Sequence, residues 1–415
     1  MSTAAAVKET TAAPADERSQ FRAFVQDDET RKVVDQVLGD LMIPQASVHK
    51  GGIAQAIEVL GETRSPRLLV VDISGIELPL SAINDLAEVC EPGVTVIAVG
   101  DRNDVGLFRD LINRGISDYL VKPITPALLQ RSLLAAAEGA SGPRQTSRLG
   151  RLVAVVGTRG GVGATMFAAN CAWDIANQRR RRVAVVDLDL QFGSVGLALD
   201  LEPSQGLREA LENPSRIDGL YLERAMVKQS DTLFVLSAEE PLDEAVLPDP
   251  AAVDLLLKEL RNRFHYVIVD LPRTVSPSWQ YVLQSISNLI VVTDLSLAGM
   301  RDTLRIMALM PASNAACHLT IVANRVGEHR QGEIARGEFE KGVGRAIDVV
   351  VPFDGKLVAA AVNVGRPVAT LKSPAAKAVA TISDQLCGAP QKATFEKLSL
   401  ASSSSTLARG LCCLK

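Results

Sequence analysis

The stretch Leu152-Val-Ala-Val-Val-Gly-Thr-Arg-Gly-Gly-Val-Gly-Ala-Thr-Met166 constrains this 415-residue chain more than any other. Leu152 to Val156 is a short apolar run that predicts a buried parallel strand, and Ala-rich helical sequence begins at Thr165. The glycines thus fall where a strand passes into a helix, the context in which backbone N–H groups close round an anion. The spacing for such a loop is G-x-x-x-x-G-K-[ST], and the match is partial. Gly163 and Thr165 stand at the last glycine and the hydroxyl, but Thr158 replaces the first glycine and Ala164 replaces the lysine.

A chain of this length accommodates two domains, each able to bury a core. With 47% hydrophobic and 22% charged residues it reads as folded rather than disordered, and with few aromatics its core is built from Ala, Val and Leu. No apolar run approaches the roughly 20 residues that span a bilayer, and the polar N-terminus lacks a signal-peptide pattern, so a cytoplasmic protein is expected. The net charge of −4 supplies no overall field for nucleic acid. Six cysteines form no C-x-x-C pair and have no histidine at metal spacing, as expected of reduced thiols.

Residues 1–19, rich in Ala, Thr and Ser, read as a disordered tail. Over 20–138, strands expected at Phe21–Val25, Leu68–Val71, Val94–Val99 and Tyr119–Val121 alternate with helices at Thr30–Leu41, Ile83–Glu88, Val105–Asn113 and Pro126–Ala137. This alternation predicts a small doubly wound parallel sheet. Asp27 and Asp28 follow the first strand, Asp72 closes Leu-Leu-Val-Val-Asp, and Lys122 ends the last strand. Strand carboxyl ends share one edge in such a sheet, so these acids and the lysine are expected to converge. Residues 139–150 read as a linker, and 388–415, with the cluster Ser402–Ser405, as a flexible tail.

Residues 151–387 form the second predicted domain, again a doubly wound parallel sheet. The run Arg179–Arg182 follows the helix after the loop and suits either a solvated helix C-terminus or, less well in an acidic chain, a DNA contact. Val183 to Asp187 is a strand ending in Asp187-Leu-Asp189, and a second run, Tyr266-Val-Ile-Val-Asp270, follows a helix with Val253, Leu256, Leu257, Leu260 and Phe264 on one face. Strands at Leu289–Thr293 and Leu319–Ala323 follow, the latter leading into Asn324-Arg325.

Arg159-Gly160-Gly161-Val162-Gly163-Ala164-Thr165 resembles the deviant phosphate loop of the ParA/MinD family, with Arg159 at the family's signature lysine. The resemblance implies ATP and Mg²⁺ as cofactors and a homodimer. Arg159 to Met166, Asn324 and Arg325 would contact nucleotide, with Asn324 reading the adenine edge. Thr165, Asp187 and Asp270 would serve the metal, Asp189 would position the attacking water, and Arg159 would stabilise charge. Residues 20–138 resemble a response-regulator receiver domain, which implies Asp72 as phosphoacceptor, Asp27 and Asp28 as metal acids in an ambiguous register, and Lys122 as phosphate partner. Gly100 stands where receivers carry a Thr or Ser, so use of the fold as a docking surface alone stays open. The combination, together with Val185–Leu201 and Val351–Val368, resembles the CpaE/TadZ proteins of Flp (tad) pilus assembly. That implies a pole-localised factor working with the pilus secretion machinery at the inner face of the membrane, through protein partners rather than membrane insertion. A slow ATPase, a non-hydrolysing scaffold and a partition ATPase remain the alternatives, the acidic balance arguing against the last.

Overall fold

In the computed structural model, residues 19–137, 149–202, 204–243, 248–314, 316–329 and 331–387 are described. The tail expected over 1–19, apart from Ser19, most of the linker and the segment 388–415 lie outside them. Among the described residues no helix is long and apolar enough to cross a membrane, and Cys90, Cys171, Cys317 and Cys387 are free thiols.

The first unit runs β1 (Phe21–Val25), α1 (Asp28–Leu41), β2 (Ala46–Lys50), α2 (Gly52–Glu62), β3 (Leu68–Asp72), α3 (Pro79–Val89), β4 (Thr95–Gly100), α4 (Val105–Asn113), β5 (Asp118–Val121) and α5 (Pro126–Ala137). Its five strands pair in parallel in the order β2-β1-β3-β4-β5, the flavodoxin-like order. Strand residues bury on alternate faces. Phe24, Leu69 and Val71 meet α2, α3 and α4 through Ile53, Leu86 and Leu111. Ala23, Val70 and Ile97 meet α1 and α5 through Val34 and Leu129. The pair β2 and α2 has no counterpart in the sequence reading. Residues of β2 are only half-buried at the sheet edge, so Ala-Ser-Val-His-Lys carries no apolar run.

The second unit begins with β6 (Arg151–Gly157), α6 (Ala164–Asn177), β7 (Val183–Asp187), α7 (Val195–Ala198), α8 (Gly206–Glu212), α9 (Gly219–Ala225), β8 (Val227–Lys228) and β9 (Leu233–Leu236). It continues with α10 (Pro250–Arg261), β10 (Tyr266–Leu271), α11 (Pro277–Ser285), β11 (Asn288–Thr293), α12 (Leu297–Ala308), β12 (His318–Val326), α13 (Arg336–Val343), β13 (Val349–Pro352), α14 (Gly355–Val362) and α15 (Pro374–Cys387). The sheet order is β13-β12-β11-β6-β10-β7-β9-β8, parallel except for β8 against β9. Residues of β6 are buried on both faces, which is why Leu-Val-Ala-Val-Val shows no polar alternation. Val153 and Val155 face α6 and α15, whereas Leu152, Ala154 and Val156 face α8, α10 and α11. Asp249 caps α10 by accepting from the Ala251 N–H, and Pro250 supplies a first position with no N–H to satisfy.

The units meet where the C-terminus of α3 approaches the N-terminal ends of β7 and β10. The Arg182 guanidinium lies over the rings of Phe234 and Phe264 and 3.8 Å from the Glu91 carboxylate, both charged groups being buried. His265 Nδ1 accepts from the Arg182 N–H at 3.1 Å, so its Nε2 carries the proton and donates to the Val89 carbonyl at 3.3 Å. Burial holds this imidazole neutral and pushes its pKa down to about 4.

A folded-state pKa below the ordinary value of 6.5 means that the unfolded chain binds the extra proton between about pH 6.5 and 4. Stability is therefore expected to fall with falling pH across that window, by up to ~1.4 kcal/mol per pH unit from this one group. Urea midpoints of the native protein and His265→Asn between pH 7 and 4 should diverge accordingly, and parallel curves would rule out a buried neutral histidine.

Candidate nucleotide site and acid–lysine pocket

The loop leaves β6 at Gly157 and enters α6 at Ala164. Gly161 and Gly163 have φ of 76° and 100°, the left-handed region that a side chain disfavours. At Gly163 a Cβ would also lie 2.6 Å from Asn324 Nδ2. The loop is tied to the sheet by the Thr158 N–H donating to the Val292 carbonyl at 2.9 Å and by Asn324 Nδ2 donating to the Val162 carbonyl at 2.8 Å. Arg325 Nη1 donates to the Gly161 carbonyl at 2.8 Å, and its guanidinium also faces the Phe353 ring. Met166 lies partly buried on the first turn of α6.

Thr165 Oγ1 donates to Asp270 Oδ2 at 2.6 Å, joining the first turn of α6 to the end of β10. Asp270 is the register neighbour of Asp187 on β7. Burial raises both carboxyl pKa values, and for Asp270 the neighbouring Asp187 charge adds to the effect. The Asp187 oxygens are engaged by backbone: Oδ1 accepts from the Asp189 N–H and Oδ2 from the Val195 N–H, each at 3.1 Å. A Cβ on Gly193 would lie 2.4 Å from Oδ2, so this glycine lets the turn close on the carboxylate. Asp189 in turn accepts from the Phe192 N–H at 3.1 Å.

A hydroxyl and a carboxylate within 2.6 Å, beside a loop of small residues, suit a hard cation that takes its other ligands from phosphate and water, as Mg²⁺ does. Among the described residues no cluster of three or more His, Cys, Asp or Glu could hold a metal by itself. Thr165 and Asp270 thus fit the metal role expected of them. The Asp187 oxygens also shape the loop after β7.

Two further expectations meet a different geometry. Asn324 directs its amide at the loop backbone, since β12 runs directly beneath it, and so stands as a prop of the loop instead of an exposed adenine reader. Arg159 donates to Asp294 Oδ2 at 2.7 Å and Ser296 Oγ at 3.3 Å. The sequence reading did not include Asp294, although an acid directly after a buried strand is the same signal that singled out Asp187 and Asp270.

In the first unit, Lys122 Nζ donates to Asp27 Oδ2 at 2.5 Å and Asp72 Oδ2 at 2.6 Å. Asp72 is fully buried and also accepts from the Gln26 N–H, the Ser74 N–H and the Ser74 hydroxyl. Asp27 caps α1 through the Thr30 N–H; although partial burial acts to raise its pKa, the bonds from Lys122 and Thr30 prevail and lower it to about 2. The convergence at the sheet edge brings together Asp27, Asp72 and Lys122 and leaves out Asp28, whose side chain is 78% exposed and 4.0 Å from Lys50. Gly100 makes room for Tyr119, whose hydroxyl would lie 2.4 Å from a Cβ there and donates to the Arg102 carbonyl.

Because the folded state holds Asp270 protonated above the ordinary carboxylate pKa near 4, the nucleotide-free protein loses stability as pH rises from there towards the raised value. Asp270→Asn removes the buried charge. Its Tm without nucleotide is expected to exceed that of the native protein by a few degrees at pH 8, while the Tm gain from Mg²⁺-ATP disappears. Differential scanning fluorimetry reads both, and a variant less stable without nucleotide would contradict the assignment.

The chain is similar to known proteins over parts of its length. An AAA domain family profile matches residues 150–316. The septum site-determining protein MinD of Bacillus subtilis (strain 168) is 25% identical over 186 residues, covering 44% of this chain and 67% of that protein. A ParA family ATPase from Chlorobium tepidum TLS superposes with a TM-score of 0.52 at 24% identity, covering 56% of this chain and 98% of the other. The pilus assembly protein CpaE from Caulobacter crescentus CB15 aligns at 32% identity over 28% of this chain and 91% of the other, with a TM-score of 0.26. The second unit, with its glycine loop and strand-end acids, is thus similar in sequence and fold to ATPases of the ParA/MinD superfamily.

Proposed function

We propose that this chain is an ATP-binding factor for the assembly and polar localisation of a Flp (tad) pilus, of the CpaE/TadZ type, acting as a nucleotide-dependent dimer with weak ATP hydrolysis. The observation that carries the nucleotide part is a strand-to-helix glycine loop, with Thr165 and Asp270 paired at its helix end, in which Ala164 replaces the lysine. Backbone N–H groups from Gly160 to Thr165 would hold phosphate oxygens, and Thr165 with Asp270 would hold Mg²⁺, which screens the phosphate charge when bound. Asp189 would orient water. The missing lysine removes a fixed charge from the outer phosphates, a loss of several kcal/mol of transition-state stabilisation, or about two decades of rate or more. Arg159, half-exposed, could restore part of it only by leaving Asp294.

The pilus assignment rests on residues: Arg159–Thr165, Val185–Leu201 and Val351–Val368, together with a doubly wound unit ahead of the nucleotide domain. A second reading, a scaffold that binds nucleotide without hydrolysing it, is favoured by the pairing of Arg159 with Asp294 within one chain.

Static light scattering is expected to show a monomer without nucleotide and a dimer with Mg²⁺-ATP. Ala164→Lys should raise ATP turnover by about two decades, and Asp189→Ala should abolish what turnover the native protein has. A mass indifferent to ATP would overturn nucleotide-dependent dimerisation, and turnover equal in the native protein and Asp189→Ala would select the scaffold. Cells lacking the gene should lose surface pili, and normal pili would overturn the pilus role.

A further inference from the structure

A second concave site lies at the same strand edge as the loop, on the opposite face of the sheet from α6. It is a cavity of about 480 Å³ whose wall includes Gly157 and Thr158. Arg273, Arg301 and Arg305 line it against a single acid, Asp302, in a chain whose net charge is −4. Arg301 makes two hydrogen bonds to Asp302, at 2.9 and 3.1 Å, and Arg305 makes one at 3.3 Å. Both arginines keep most of their side chains in solvent, 66% and 74% exposed. Arg273 is exposed and has no ion-pair partner among the described residues. The positive charge there is therefore only partly balanced.

The remainder of the lining is apolar. Trp279, Ile306 and Leu309 line the cavity, and Val275 is 57% exposed. Trp279 is almost wholly buried, and among the described residues its indole N–H has no acceptor. The surface that this apolar wall offers to an occupant is that of Val275 and Leu309, 57% and 43% exposed. A bare inorganic anion would pair with the arginines but leave the apolar lining uncovered. A segment carrying both a carboxylate and an aliphatic or aromatic side chain satisfies both parts.

We propose that this cavity docks an acidic segment of a partner protein, with a carboxylate among Arg273, Arg301 and Arg305 and an adjoining apolar side chain against Val275 and Leu309. The cavity is connected to the nucleotide loop by hydroxyls. Thr158 Oγ1 donates to Thr293 Oγ1 at 3.1 Å, and Thr303 Oγ1, on the helix bearing the arginines, donates to Thr293 Oγ1 at 3.4 Å. An occupant that shifts α12 therefore acts on the residue that starts the loop. The same helix begins at Ser296, which binds Arg159. Docking does not depend on ATP hydrolysis, so this inference stands or falls separately from the nucleotide reading.

The test is fluorescence anisotropy of the full, nucleotide-free chain with a labelled peptide of alternating glutamate and leucine. Two comparison peptides carry glutamine for glutamate or serine for leucine, and inorganic phosphate is the competitor. The Glu-Leu peptide is expected to bind at least about tenfold more tightly than either comparison peptide. Arg273→Gln with Arg305→Gln should weaken it about tenfold, whereas Arg216→Gln, a loss of charge elsewhere on the surface, should not change it. Asp302→Asn frees two guanidiniums and should tighten binding several-fold. The proposal is overturned if the Glu-Leu peptide does not bind at millimolar concentration, or if the glutamine or serine peptide binds equally well. Full displacement by phosphate, or a double variant no weaker than Arg216→Gln, would also overturn it. Unchanged circular dichroism and Tm in each variant keep the readout on docking, since all the substituted arginines are exposed.

Discussion

The hydrogen bond from Thr165 to Asp270 joins the two elements on which the nucleotide domain depends: the helix that follows the glycine loop and the central strand β10. With the Thr158 and Asn324 bonds, it fixes a loop of small residues against three strands, β10, β11 and β12. Few side chains in the loop could hold its shape by packing. Its conformation is therefore set by backbone geometry, through left-handed glycines, and by polar groups reaching in from the strand ends. The strands in turn hold their spacing because both sheet faces are buried, so no strand end can move without disturbing two apolar layers.

That arrangement places charge in a costly position. Asp187 and Asp270 lie side by side, nearly excluded from water, and their raised pKa values express the cost of ionising both there. Asp187 offsets part of it by accepting two backbone N–H bonds, and Asp270 by accepting the Thr165 hydroxyl. A divalent cation is the natural further compensation. The first unit meets a comparable demand differently: the buried Asp72 carboxylate is met by Lys122 and by three donors from Gln26 and Ser74. The first unit supplies its compensating cation from its own chain, as Lys122.

The junction between the units follows the same economy of buried charge. Arg182, enclosed by Phe234 and Phe264, faces Glu91, and His265 is held neutral so that both ring nitrogens find partners. Glu91 is shared between Arg64 of its own unit, at 3.3 Å, and Arg182 of the other, at 3.8 Å. Arginines of α12, by contrast, stay in solvent beside an apolar cavity at the opposite strand end, where their charge faces outward to whatever approaches.

Much of this was legible in the sequence alone. Strands buried on both faces read as unbroken apolar runs, so β6, β7, β10 and β11, and the terminal acids of β7 and β10, could be placed from pattern. The strand-to-helix glycine loop and the loss of its lysine at Ala164 are likewise properties of residue order. Edge elements were not legible: β2 is only half-buried and β8 is two residues long, so local pattern carries little signal. Only the tertiary structure decided which neighbour each functional side chain meets. It selected Asp27 over Asp28 for Lys122, turned Asn324 to the loop, joined Arg159 to Asp294 and drew Arg273, Arg301 and Arg305 round one cavity. These are contacts between residues distant in the chain or a single position apart at a strand end, and their geometry depends on how strands stack and where each turn closes. Residue order sets which chemistry is available at a strand end, and packing sets which of those groups meet.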